Sequence, residues 1–259
     1  MLGRDHALLG ALAYLGGAWE VSRIAHQPMP PAELAVGAMV CSAFALLPDI
    51  DEPHSVVSTK LGPISEAVSR VTNKLSGGHR HATHSIAFVV LIGAMMAVAQ
   101  HWRYSAVVAV VASGLLVLRM IVPLGFGRRG LLPLVLVAAA GWWAWTSHPG
   151  ALWLPATAAA GVFLHLVGDM LTREGVPLLW PAKFRIAAPV LGHTDSAREQ
   201  ALAAAMSAGI AVVAWFLLLH PTLSHLSHID LSNVSRSVQS RLRSVKVPIS
   251  KELPSTTPP

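Results

Sequence analysis

Seven uninterrupted apolar runs, at residues 7–19, 32–47, 85–102, 105–126, 131–145, 151–168 and 201–219, limit what this chain can become. A segment surrounded by lipid must satisfy its backbone polar groups internally, and a helix does so within a single segment. Crossing the hydrocarbon core takes about 20 helical residues. The chain is therefore expected to be all-α, a polytopic membrane helical bundle. Of its 259 residues 53% are hydrophobic and 12% charged, against about 25% charged in ordinary soluble domains. That balance argues against disorder and against a soluble enzyme. Cys41 is the single cysteine, which excludes an internal disulfide framework and a cysteine-based zinc site and leaves histidine and carboxylate as metal donors.

The first two runs fall short of bilayer length. With the turn Pro28-Met29-Pro30-Pro31 between them they are expected to form a hairpin that enters the bilayer only in part, the later runs being better spans. Asp5 and His6 precede the first run and no cleavage site follows it, so it is expected to be retained. If every run crosses, or the first two return together, the N-terminus and loops 48–84, 127–130 and 169–200 share one side. That side carries Arg4, Lys60, Arg70, Lys74, Arg80, Arg128, Arg129, Arg173, Lys183, Arg185 and Arg198, against Arg23 and Arg103 opposite. Lysine and arginine accumulate in cytoplasmic loops, so that side is expected to be cytoplasmic. The net charge of +6 is spread through these loops rather than gathered on one face, and membrane topology explains it better than nucleic acid, of which no binding is expected. A domain over residues 1–220 is followed by a polar, basic tail over 221–259 with the composition of a mobile extension.

This parity places four polar groups on one face: His6 before the first run, Asp49 and Asp51 after the second, His79, Arg80, His81 and His84 before the third, and His165 with Asp169 closing the sixth. His165 and Asp169 are spaced i, i+4, which projects both side chains from one helical face. Leu46-Leu47-Pro48-Asp49-Ile50-Asp51 ends a helix at proline and presents two carboxylates from what reads as an irregular segment. Imidazole and carboxylate are the donors of zinc, manganese and iron in hydrolytic sites. Alone, the first pair also serves as a helix-end hydrogen bond and the second as a turn with solvated acids. Their convergence beside bilayer-length helices is what points to a metal site.

The strings Leu46 to Ser55 (LLPDIDEPHS), Gly78 to Ser85 (GHRHATHS), and His165 followed by Asp169 to Pro181 (DMLTREGVPLLWP) resemble, in that order, the YdjM-like family of LexA-regulated inner-membrane proteins held to be metal-dependent hydrolases. His6, and Phe184-Arg185 before Pro189, fit the same pattern, so the resemblance covers about residues 1–191. It implies metal ligands at His6, Asp49, Asp51, His79, His84, His165 and Asp169, with His54 and His81 at variable positions. More distantly the family is similar to the helical zinc-dependent phospholipase C and nuclease group, which suggests phosphoester chemistry and one to three divalent ions, zinc before manganese or iron.

The reading that follows is a multi-pass hydrolase of the bacterial inner membrane, with its site at the cytoplasmic face and a lipid or lipid-linked phosphoester as substrate. Arg80 is expected to hold the phosphate through its planar fork and Asp51 to take part in catalysis. Thr83, Ser85 and Thr172 are expected to orient ligands. The alternative is a transporter or a metal-binding membrane protein without hydrolysis. Transport would place polar groups near the midplane, whereas these lie at helix ends. Arg119 reads as a snorkelling or paired side chain. His225 and His228 read as solvated tail residues, and His193, Asp195 and Ser196 as a loop with a helix cap. Trp142, Trp143, Trp145 and Trp153 read as an interfacial belt. Neither a phosphate-binding glycine loop nor a nucleophile elbow is present.

Overall fold

The computed structural model describes residues 1–121, 128–147, 153–192 and 195–219, with the side chains of 128–130 and 218–219 left aside. The described residues form helices α1 (Gly3–Ala25), α2 (Pro31–Phe44), α3 (Val56–Lys60), α4 (Pro63–Ser76), α5 (Ile86–Ala99), α6 (Arg103–Ile121), α7 (Arg128–Thr146), α8 (Trp153–Met170) and α9 (Ala197–Ala214). Two short 3-10 turns, Leu47–Asp51 and Ala82–His84, carry chemistry between them. Among the described residues there is no strand, only isolated bridges from Thr172 to Gly192 and from Val176 to Ile186. The expected tail and its histidines His225 and His228 lie outside the described residues, as does His193.

Helix α2 sits at the centre, packed on α1, α6 and α8, while α5 covers α8, α7 covers α6 and α9 covers α1. Among the described residues three helices are long and apolar enough to cross a membrane, Pro31–Asp51, Arg103–Ile121 and Ala197–Leu217. The first of these corrects the expectation for the second run: α2 and the 3-10 turn that follows it together make a segment of 21 residues. The third run, expected to be a good span, yields only the 14 residues of α5, because Ser85 caps the helix at one end and Gln100 closes it at the other. Outward faces are aliphatic, with Val90, Leu91, Met95 and Val98 on α5 and Leu132, Val135 and Leu136 on α7 all exposed.

Two glycines set how close the central helices come. A Cβ on Gly161 of α8 would lie 2.5 Å from the Cys41 carbonyl oxygen, and one on Gly10 of α1 would lie 2.9 Å from the same atom. Small residues allow helix backbones this approach in membranes, where packing rather than hydrophobicity holds helices together. The opposite end of the bundle is pinned by Tyr14, whose hydroxyl accepts from Trp153 Nε1 at 3.0 Å and whose ring lies against Gly37.

Helix α4 is inside out. It buries Ser65, Ser69 and Ser76 and exposes Ile64, Val68, Val71 and Leu75, a stripe at helical spacing. Such a helix is stable with its apolar side in the interfacial region of a bilayer.

Gly161→Val should force α8 from α2, since the branched side chain has no space at the Cys41 carbonyl. Overpacking of this kind costs about 1–3 kcal/mol. The thermal midpoint in detergent should fall, whereas Gly16→Val, at a position with nothing within 4 Å of a Cβ, should leave it unchanged apart from the helix propensity.

Candidate metal centre

The same glycines aim two histidines. His6 lies one turn before Gly10 and His165 one turn after Gly161, so the two close approaches deliver both imidazoles to the end of α2. Their rings stack, with centroids 3.8 Å apart. Gly168 completes the fit, because a Cβ there would stand 3.0 Å from His6 Nδ1. His165 Nδ1 lies 2.7 Å from the Ala45 carbonyl oxygen and donates to it, leaving Nε2 to face the centre. A second-shell carbonyl fixes the tautomer of metal-binding histidines in this way.

Asp49 and Asp51 come from the 3-10 turn Leu47–Asp51 rather than from the irregular segment expected; α2 has already ended at Phe44, before Pro48. The turn of residues 77–80 brings in His79 and Arg80. Gly77 and Gly78 take φ of 88° and 108°, which a side chain resists. Arg80 takes φ of 59° despite its side chain, a conformation that persists where surrounding contacts over-determine it. Here its backbone N–H donates to Asp51 Oδ2 at 3.1 Å. Asp51, fully buried, also accepts from Thr83 Oγ1 and from His79 Nδ1, the latter at 2.8 Å.

All seven residues expected as ligands lie together in three overlapping groupings: Asp49, Asp51, His79 and His84; His6, Asp49 and His165; and His84, His165 and Asp169. Asp49, His84 and His165 each belong to two of them. One set of donors faces inward at His84 Nε2, His165 Nε2, Asp49 Oδ1 and Asp169 Oδ2. The imidazole nitrogens are 3.2 Å apart; Asp49 Oδ1 is 3.5 Å from each; Asp169 Oδ2 is 3.6 and 3.7 Å from them. Tetrahedral zinc with bonds of about 2.0–2.1 Å would set its donors about 3.3 Å apart, and these five separations are of that order. Burial disfavours charge on His84, but its hydrogen bonds and charge interactions with Asp49 and Asp51 outweigh it and raise its pKa to about 9. At His84 the two carboxylates therefore favour positive charge.

Arg80 is buried and forked between carboxylates, Nη2 to Asp169 Oδ2 at 3.0 Å and Nη1 to Glu174 Oε2 at 2.6 Å. Glu174 was not singled out in the sequence, and no spacing rule connects it to Arg80, 94 positions away. Arg185 donates to the Arg80 carbonyl at 3.2 Å. The Met1 amino group lies 2.9 Å from Asp169 Oδ1, and the buried Glu199 carboxylate accepts from Leu2 N at 2.7 Å. Glu199 was missed although Ser196-Ala-Arg-Glu199 has capping-box spacing; Ser196 does cap α9. Ser85 caps α5 and Thr172 Oγ1 donates to the Asp169 carbonyl at 2.7 Å. His54 and His81 are exposed and join none of the three groupings. Arg119 is paired, donating to the Lys60 carbonyl at 2.8 Å.

A family profile described as "YdjM inner membrane protein" matches residues 1–125 and 129–227. The chain is 30% identical over 150 residues, 56% of its own length, to "Inner membrane protein YdjM" of Escherichia coli (strain K12), and equally to that of Shigella flexneri. It spans about half (50%) of the length of these curated relatives. No solved structure matches.

Asp49→Ala, His84→Ala and His165→Ala should each lower the metal content of purified protein at least severalfold, since loss of one donor weakens every grouping it serves. His54→Ala and His81→Ala should leave it at the wild-type level. Equal metal content in all five, by elemental analysis, would remove the basis for the centre.

Proposed function

The chain belongs to the YdjM inner membrane protein family, and from that premise we propose that it is a multi-pass, metal-dependent hydrolase acting on a phosphoester at the cytoplasmic face of the membrane. The observation that carries this reading is the donor set of His84, His165, Asp49 and Asp169 held at cation-binding separations. A divalent ion bound there would lower the pKa of a water molecule and polarise a phosphoryl oxygen. The overlap of three groupings gives room for one to three ions, with zinc favoured by the nitrogen-rich donors and manganese or iron as alternatives. The distant likeness to the helical zinc-dependent phospholipase C and nuclease group belongs to the same proposal, as does a membrane-embedded domain over residues 1–220 followed by a separate tail over 221–259.

In this reading the chain's own residues divide the work. Asp51 holds His79 Nδ1, which leaves the outer nitrogen of the most exposed of the four histidines to take the water proton or return one to the leaving oxygen. Arg80 neutralises Asp169 with one arm and offers the other to substrate. The Glu174 carboxylate on that second arm is 69% exposed, so a phosphoryl group can displace it at little cost in burial. The alternative of a non-hydrolytic metal-binding protein or transporter shares the centre and lacks turnover.

Arg80→Lys should retain metal within about a factor of two and lower phosphoester turnover about 10²-fold, the scale set by loss of one preorganised donor. Metal content and turnover measured on one preparation decide the matter. Lost metal would make Arg80 a support for Asp169 alone, and a metal-loaded wild type inactive across a phosphoester panel would favour the alternative.

The orientation rests on the Lys and Arg bias of loops 48–84 and 169–200. His81→Cys, at an exposed position, should resist an impermeant thiol reagent in intact cells and react once they are opened, the native Cys41 being fully buried. Rapid labelling from outside would invert the topology.

A further inference from the structure

Helices α5 and α6 follow each other in the chain yet part company, α5 packing on α8 and α6 on α7 and α2. Between them lies a groove of about 440 Å³, open on one side and lined almost wholly by apolar side chains. That volume falls in the usual range of ligand sites, about 300–1,000 Å³. Its wall on α6 runs from Ser105 to Leu116, about 16 Å at 1.5 Å per residue, and one leaflet of the hydrocarbon core is about 15 Å deep. Its long direction follows α6, itself of membrane-spanning length and apolarity. The two ends differ. Met96, Ala99 and Tyr104 close the end at the α5–α6 turn, remote from the metal centre because α5 begins beside His84 and leads away from it. Leu47, Val57 and Leu61 form the other end. Leu47 stands two residues before Asp49, within about 7 Å along the chain, and Lys60 and Arg119 are exposed beside Leu61 and Leu116. Arg119 is held there by its bond to the Lys60 carbonyl.

We propose that this groove binds one hydrocarbon chain of an anionic phospholipid, tail toward Tyr104 and phosphate toward Lys60 and Arg119 at the metal-centre end. Three features select a lipid chain over other apolar occupants: the depth of one leaflet, continuity with the lipid-facing surface of α5 and α6, and the exposed Lys60 and Arg119 at the end where a phosphate would sit, whereas Arg103 at the far end is stacked over the Trp145 ring. The proposal rests on the hydrolase reading for one point alone, that the bound lipid is of the substrate's class; occupancy needs no catalysis.

The full chain, reconstituted in phosphatidylcholine nanodiscs with a few per cent phosphatidylglycerol carrying a photoactivatable acyl chain, is irradiated and the adducts are mapped by peptide mass spectrometry. Met96, Val108 and Ala112 should label at least threefold above the exposed α7 residues Leu132 and Leu136. Ala112→Trp should bring groove labelling down to the α7 level, and Lys60→Glu, remote from the core packing, should lower it for the phosphatidylglycerol probe more than for a phosphatidylcholine one. Equal labelling of groove and α7 in the wild type would show ordinary boundary lipid and overturn the proposal, as would groove labelling unchanged in both variants. Turnover separates the two readings. With a long-chain and a short soluble phosphoester, Ala112→Trp should raise KM for the long-chain ester alone. An unchanged KM for both would remove the groove from substrate binding while leaving the hydrolase intact. Selective groove labelling with neither ester hydrolysed would uphold the lipid site and sink the hydrolase.

Discussion

Everything in the centre depends on how closely α1 and α8 approach α2 at Cys41 to Ala45. Gly10 and Gly161 press on one carbonyl oxygen from two helices, and each sits one helical turn from a histidine of the cluster. Because interiors are packed at crystal-like density, a gap of a few tenths of an ångström there would move His6 and His165 by at least as much. It would also part the His165 Nδ1 bond from Ala45, which sets the tautomer. The apolar core beside them, Ala158, Val162 and Leu166 on α8 with Ile92 on α5, keeps that face of α8 turned inward. Packing thus acts as the positioning device, and the polar chemistry is its passenger.

The cluster concentrates three carboxylates and four imidazoles in a largely buried volume where charge is costly. It is balanced locally. Asp51 spreads its charge over His79, Thr83 and the Arg80 backbone, and Asp169 is matched by Arg80, His6 and the Met1 amino group. Asp49 is the exception, with an accessible edge (19%) and imidazoles as its near neighbours. A cation entering beside Asp49 would therefore meet the least compensated carboxylate first.

How much of this was legible in the sequence divides along one line. That the polar groups come together was readable, the i, i+4 pair from its shared helical face, the four groups from the parity of the runs, and the full set of seven from the family resemblance. The all-helical class followed from run length. What could not be read depends on contacts between distant segments. The pairing of Arg80 with Glu174, the role of Glu199 beneath the N-terminal turn and the parting of α5 from α6 have no periodic signal. The lengths of the helices themselves were misjudged where a turn of different type joined on, as at Leu47–Asp51, or where the apolar run outlasted its helix, as beyond Gln100. Helix α4 escaped notice because its large apolar residues, Ile64, Val68, Val71 and Leu75, are separated by polar neighbours and form no run.

That helix has a further bearing on the centre. A segment that hides hydroxyls and shows aliphatic side chains is folded for a solvent other than water. Transfer of Ile64, Val68, Val71 and Leu75 out of water is worth several kcal/mol by the usual area scale, and the protein core collects little of it, since these side chains remain outside. A bilayer interface would collect it instead. The segment that carries Asn73 on α4, whose amide donates to the Asp51 carbonyl at 2.6 Å, and then His79 and His84, would be moored from its outer side by lipid. A surrounding membrane would in that sense be a structural component of the site, filling the place that a further layer of helices occupies in a water-soluble protein.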